Sequence, residues 1–167
     1  KNEGDVLFML GASQDCINAS EYLYSYCGIK NSPAPYFDLD VEYQVQDLVK
    51  KLIASKLIQS AHDISDGGLF ICLLESAMSG NLGFRIDTDE DFRKDAFLFG
   101  EAQSRVIVSV HPDQLDAFVE MIAETEVDFT NLGEVRGNEV VIDEKSYGTV
   151  DSYRVKYDSA IGELMQN

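Results

Sequence analysis

An α+β fold, a mixed or antiparallel sheet covered by helices, is predicted by three observations. Strand-like and helix-like apolar patterns interleave along the chain, the later ones read as antiparallel hairpins, and Gly- or Pro-bearing breaks separate them. The 167 residues match one ordinary domain, and a hydrophobic content of 45% supports a sizeable core.

The elements follow in order. Val6 to Leu10 is an apolar strand ended by Gly11, and a polar loop, Ala12 to Ala19, follows. Ser20-Glu21-Tyr22-Leu23 reads as a helix start, with Ser20 as a cap and Glu21 favoured in the first turn. Gly28 to Phe37 holds Pro33 and Pro35 and is extended or looped. Val41, Val45, Leu48, Val49, Leu52 and Ile53 recur on one helical face, with Asp40 as the cap. Leu57, Ile58, Ser60 and Ala61 read as a short buried strand. Leu69, Ile71, Cys72, Leu73, Leu74, Ala77 and Met78 read as a mostly buried helix, punctuated at its end by Gly80 and Gly83. Phe84 to Ile86 is a short strand, Thr88 to Asp95 a charged connection, and Phe97 to Phe99 an apolar run leading into Gly100. Arg105 to Val110 is a strand with Val106, Val108 and Val110 on one face. Asp113 to Glu124 is an amphipathic helix with Leu115, Phe118, Val119 and Ile122 inward. Asp128 to Val135 and Glu139 to Ile142 are expected to pair around a turn at Gly137-Asn138, and Tyr153 to Met165 to be partly helical.

Thirty acids against 13 bases give a net charge of −17, which disfavours nucleic acid and anionic membranes, because phosphate contacts need clustered Lys and Arg. The acidity reads first as solubility and second as a surface for a basic partner. The three cysteines, Cys16, Cys27 and Cys72, show no metal spacing and suit a reducing, cytoplasmic setting. No signal peptide is visible, and no apolar run approaches membrane-spanning length. The chain opens at Lys1 rather than Met and is expected to be a piece of a longer polypeptide.

Two polar clusters stand out. The first, His62-Asp63-Ile64-Ser65-Asp66-Gly67-Gly68-Leu69, sits at the strand-to-helix turn. Glycines there allow positive φ and close backbone approach. The helix N-terminus supplies N–H groups and partial positive charge for a phosphate, and Asp63 and Asp66 suit Mg²⁺. The same residues are also ordinary capping and turn chemistry, and no Rossmann or P-loop pattern is present. The second, Gly100-Glu101-Ala102-Gln103-Ser104-Arg105, lies just before a strand. Glu101, Gln103 and Ser104 could grip a polar small molecule and Arg105 a carboxylate or phosphate; equally, the loop's polar groups satisfy one another. His62 is the better histidine for proton transfer, since His111 precedes Pro112 in a surface turn. No Ser/His/Asp triad or GxSxG elbow is present. The acids Asp87, Asp89, Glu90 and Asp91 lack the EF-hand pattern and read as a solvated loop.

The first cluster resembles the signature of the ATP-dependent superfamily of aminoimidazole ribonucleotide (AIR) synthetase. That superfamily includes formylglycinamidine ribonucleotide (FGAM) synthase, thiamine-monophosphate kinase, selenophosphate synthetase and a hydrogenase-maturation enzyme, and the signature lies in their C-terminal type of domain. Leu57 to Asp63, Phe99 to Arg105, and Ser20-Glu21-Tyr22 within its polar loop are further similar to the FGAM synthase family. The resemblance spans nearly the whole chain.

The resemblance implies a single domain over 1–167, with the three-layer α/β/α sandwich of the AIR synthetase C-terminal type. It implies that the full-length enzyme uses ATP and Mg²⁺ to phosphorylate an amide oxygen, which ammonia then displaces, in purine synthesis. It also implies an ATP-binding N-terminal type domain in the same polypeptide and a glutaminase domain or subunit. The form of the signature, and the early loop Gly11-Ala12-Ser13-Gln14-Asp15, look like the last domain of a two-repeat, small-type enzyme. Since the first copy in the family supplies most substrate and metal contacts, Asp63 and Glu101 here shape a pseudo-symmetric second site, bind a structural nucleotide, or hold the fold. The isolated chain is expected to be inactive. AIR synthetase or thiamine-monophosphate kinase is the alternative enzyme, argued against by Glu101 to Arg105; a non-catalytic structural or interaction module is the alternative from another class.

Overall fold

The computed structural model describes residues 1–165. Seven strands form one mixed sheet: β1 (Val6–Leu10), β2 (Ser60–Asp63), β3 (Phe84–Ile86), β4 (Val106–Val110), β5 (Phe129–Val135), β6 (Glu139–Ile142) and β7 (Lys145–Thr149), in the order β2-β4-β1-β5-β3-β6-β7. The helices are α1 (Leu39–Ala54), α2 (Gly68–Gly80), α3 (Lys94–Phe99), α4 (Leu115–Ala123) and α5 (Val150–Leu164).

Strand alternation builds the layers, because successive side chains leave a strand on opposite faces. From β1, Leu7 and Met9 pack with Leu69, Cys72, Leu73 and Phe97 of α2 and α3. Phe8 and Leu10 point the other way, onto Val45, Leu48 and Leu52 of α1 and Phe118 and Ile122 of α4. Helices thus cover both faces, the three-layer arrangement implied by the resemblance. Each fully buried Leu of these stripes contributes about 1.5–3 kcal/mol. Among the described residues no helix is long and apolar enough to cross a membrane.

Several expectations are corrected. The cap of α1 is Asp38, whose Oδ1 accepts the N–H groups of Asp40 (2.9 Å) and Val41 (3.3 Å), so the helix starts before Asp40. Val41, Ile53 and Val119 are exposed; the buried stripes are narrower than the periodicity suggests. Leu57 and Ile58 pack against the α1–α4 cluster outside any strand; β2 begins at Ser60 and runs along the sheet edge against β4. The expected hairpin of β5 with β6 does not form. β3 lies between them, antiparallel to β5 and parallel to β6. Gly83 makes room: a Cβ there would stand 2.3 Å from Glu139 O, and its backbone bonds the crossing loop through Gly83 N to Gly137 O (2.8 Å) and Arg136 N to Gly83 O (3.0 Å). β6 instead pairs with β7 across Asp143 and Glu144. Both have positive φ (47° and 62°), the backbone of a tight two-residue hairpin. Ser20 does cap its turn: its Oγ accepts the Leu23 N–H (3.1 Å), although the turn Tyr22–Tyr26 winds as a π-helix.

Candidate functional site

The two polar clusters meet beside the N-terminus of α2. β2 hands the chain into the turn, with Ile64 N donating to Arg105 O (3.0 Å) one step beyond the β2–β4 ladder. Gly67 and Gly68 then take φ of 84° and 69°. At Gly68 a Cβ would meet the Phe99 and Gly100 backbone at 2.8 Å, so this glycine lets α2 start hard against the end of α3.

A groove of about 380 Å³ is lined by Asp63, Ser65 and Asp66 from the first cluster and Glu101, Gln103 and Ser104 from the second. Asp63, Ser65 and Asp66 are exposed, with the Asp63 side chain 80% accessible. A second recess, holding Ser20 and Glu21, shares Asp66 and Glu101 as its wall.

The second cluster is engaged with the fold. Glu101 Oε1 accepts two backbone N–H groups, from Glu21 (2.8 Å) and Gly67 (2.8 Å). Arg105 is 3% exposed, and its Nε and Nη2 donate to Ala102 O (3.0 Å) and Gly100 O (2.7 Å), closing its own loop. Burial without a carboxylate alongside pulls its guanidinium down to about 10. Ser104 sits at φ 63° and donates from Oγ to Glu42 Oε2 (2.6 Å). Gln103 is exposed and faces the groove.

The α2 N-terminus is therefore less open than its glycines suggest, because Gly67 N–H is held by Glu101 and Gly68 N–H by Ser65 O (3.0 Å). His62 is not brought into the groove. Strand alternation sends its ring to the opposite face of β2 from the groove, while its Nδ1 stays near Asp63, 2.8 Å from the carbonyl O and 3.9 Å from Oδ1; its Nε2 lies 3.3 Å from Glu75 Oε2, and it faces a recess with Met78 and Arg154. Cys72, beneath the turn, is buried, which pushes its thiol up to about 12.

Among the described residues no three His, Cys, Asp or Glu side chains come together as a metal cage. Asp63 and Asp66 both line the groove, and carboxylate oxygens are the donor type that Mg²⁺ takes. Glu42 and Phe37 also line the groove and were not anticipated from sequence. Nothing local links Glu42, on the polar side of an amphipathic helix, to Ser104.

Comparison with known proteins places this chain in a family. A family model described as "AIR synthase related protein, C-terminal domain" matches residues 2–144. The phosphoribosylformylglycinamidine synthase subunit PurL of Caldanaerobacter subterraneus subsp. tengcongensis is 38% identical over 151 residues, covering 90% of this chain and 21% of that protein. The Salinibacter ruber PurL is 48% identical over 118 residues, covering 68% and 16%. The chain thus spans about a fifth of the length of the curated relatives it matches. Among solved structures, Thermotoga maritima PurL complexed with FGAR superposes with a TM-score of 0.76 at 18% identity, covering 91% of this chain and 28% of that one. Thiamine-monophosphate kinase from Stenotrophomonas maltophilia K279a gives 0.59 at 20% identity, covering 87% and 52%. At these identities the structures show a shared fold, whereas the family match rests on sequence along most of the chain. The chain belongs to the AIR synthase related protein, C-terminal domain family.

Proposed function

We propose that this chain, as one domain over 1–167, is the last domain of an FGAM synthase. The full-length polypeptide would amidate formylglycinamide ribonucleotide with ATP and glutamine-derived ammonia, in the cytoplasm, alongside an ATP-binding N-terminal type domain and a glutaminase domain or subunit. The carrying observation is the identity of 38% with a PurL protein over 90% of the chain, which includes both clusters. The T. maritima PurL structures complexed with ATP and as PurLQS support the nucleotide and a multi-subunit setting.

The groove's charge supports a reading of what this domain contributes. Asp63, Asp66, Glu42 and Glu101 face it, and its one base, Arg105, is buried and engaged with its own loop. A phosphate therefore needs a cation or bases from another domain. Asp63 and Asp66 would hold Mg²⁺, which offsets phosphate charge when bound. Gln103 and Ser65 offer neutral hydrogen-bonding groups to the bound molecule.

The test is amidine formation from formylglycinamide ribonucleotide, ATP, Mg²⁺ and ammonium chloride. The full-length polypeptide should turn over and the 167-residue chain alone should not; a full-length polypeptide inactive with this substrate overturns the proposal. A structural role for this copy is the second reading, favoured by Glu101 and Arg105 being engaged with backbone.

A further inference from the structure

We infer that Glu101 is a positioning residue: through one carboxylate oxygen it ties the Ser20–Glu21 segment to the Gly67–Gly68 turn and so sets the shape of the acidic groove. Its consequence for turnover rests on the function proposed above; its structural content does not.

Three parts of the chain converge on one atom. Glu101 follows α3, Glu21 lies 80 residues earlier and Gly67 34 residues earlier, and both N–H groups reach Glu101 Oε1 at 2.8 Å. An oxygen accepting two donors has both lone pairs occupied, so this atom is not free to take a proton from a substrate. An anion suits the place. Gly67 precedes the first turn of α2 and has no side chain of its own to cap it, so Glu101 supplies from a distance the negative charge a helix N-terminus favours. Bonds to an ionised acceptor are also about twice as strong as neutral ones.

The segment on the other side needs the tie. Its neighbouring hydrogen bonds stay within residues 17–32: Ser20 Oγ to Ile17 O (2.6 Å), Ala19 N to Ser32 Oγ (2.7 Å) and Ile29 N to Leu23 O (3.0 Å). Stacking of Tyr22 on Phe99, with centroids 5.0 Å apart, adds a second attachment close to Glu101 in sequence. The groove and the neighbouring recess share Asp66 and Glu101, so releasing this carboxylate frees a wall common to both. Arg105 holds the loop that presents Glu101 by bonding the carbonyls on either side of it, Gly100 and Ala102.

The experiment is amide hydrogen exchange, read by mass spectrometry on the full-length polypeptide, using peptides that span residues 17–24 and 63–70. Glu101→Ala should speed exchange at Glu21 and Gly67 by about tenfold or more, the scale of a lost hydrogen bond to a charged group, while peptides from β1 and α1 stay unchanged. Glu101→Gln keeps an oxygen acceptor and should give a smaller rise at both amides. Glu101→Asp is one methylene shorter and should release at least one. If Glu101→Ala does not fold, the Gln and Asp variants carry the test. In the synthase assay the KM for ATP should rise more than kcat falls. Unchanged exchange at both amides in a folded Glu101→Ala protein overturns the inference, as does a Gln variant that behaves like Ala. A fall in kcat alone, with exchange unaltered, would make Glu101 catalytic instead. A polypeptide without synthase activity would remove the proposed function and leave the exchange result standing.

Discussion

The two polar clusters look alike in sequence and differ in what they do. Asp63 to Gly68 leaves its acidic side chains in solvent at a groove wall, whereas Gly100 to Arg105 turns its two charged side chains onto backbone groups of the same fold. Mixed Asp, Glu, Ser, Arg and Gly near a strand end thus describe either a ligand surface or a self-satisfied loop. The difference lies in partners distant in sequence: Glu21 and Gly67 for Glu101, Glu42 for Ser104. Variants that damage the engaged cluster should cost stability, and those in the open cluster should cost only function.

The largest expected effect is at Gly11. Its φ is 91°, and a Cβ would fall 1.9 Å from Ser104 O, so Gly11→Ala forces the second cluster's loop away from β1. A loss of about 3 kcal/mol or more is expected by denaturant titration, from overpacking added to a positive-φ penalty. Arg105→Met comes next. It removes two charge-assisted bonds and leaves the Gly100 and Ala102 carbonyls without this donor, for about 3 kcal/mol, partly offset because no charge remains to be buried. If Arg105→Met unfolds at the wild-type midpoint, the engaged cluster is not holding its loop. Asp63→Asn with Asp66→Asn should move the same midpoint by less than about 0.5 kcal/mol, as exposed substitutions do.

Two smaller effects check the surroundings. Cys72 should resist alkylation at pH 8 in the folded protein, since burial pushes its thiol up to about 12, while exposed Cys27 should react. Equal labelling rates would show that α2 opens near the groove. Asp38 caps α1 at the edge of the site, and the N–H groups of Val41 and Asp40 hold its carboxyl below the usual carboxylate value of 3.8. Its stabilising share is therefore complete above that value and lost as pH falls through the lower folded-state pKa. The stability gap between wild type and Asp38→Ala should narrow on acidification below pH 3.8; a gap that stays constant would show that the cap does not titrate with folding.

Much of the fold is legible because it is local. The near-continuous apolar runs of Val6–Leu10 and Val106–Val110 announce buried strands, and the helical spacing of Val45, Leu48 and Leu52 announces α1. What escapes is set elsewhere or is too brief to show a period. α3 is six residues long, and β7, Lys145–Thr149, is mostly exposed and carries no apolar alternation. The insertion of β3 between β5 and β6 depends on Gly83 admitting the loop at Gly137 to Glu139, far along the chain. At the site, the residue types and the Gly-Gly turn are readable, but the removal of His62 to another recess and the inward turn of Arg105 are not. The first follows from strand parity once β2 has its register; the second requires knowing where the carbonyls of its loop point.

The account's central claim is that the open cluster is the working half of the pair, and one measurement addresses it directly. The Asp63→Asn, Asp66→Asn variant of the full-length polypeptide would be assayed for amidine formation and ATP affinity, with its unfolding midpoint measured in parallel. The expected result is an unchanged midpoint with turnover or nucleotide affinity reduced by tenfold or more, about 1.4 kcal/mol of lost interaction. An unchanged midpoint with full turnover and full affinity would contradict the claim and leave this domain a scaffold.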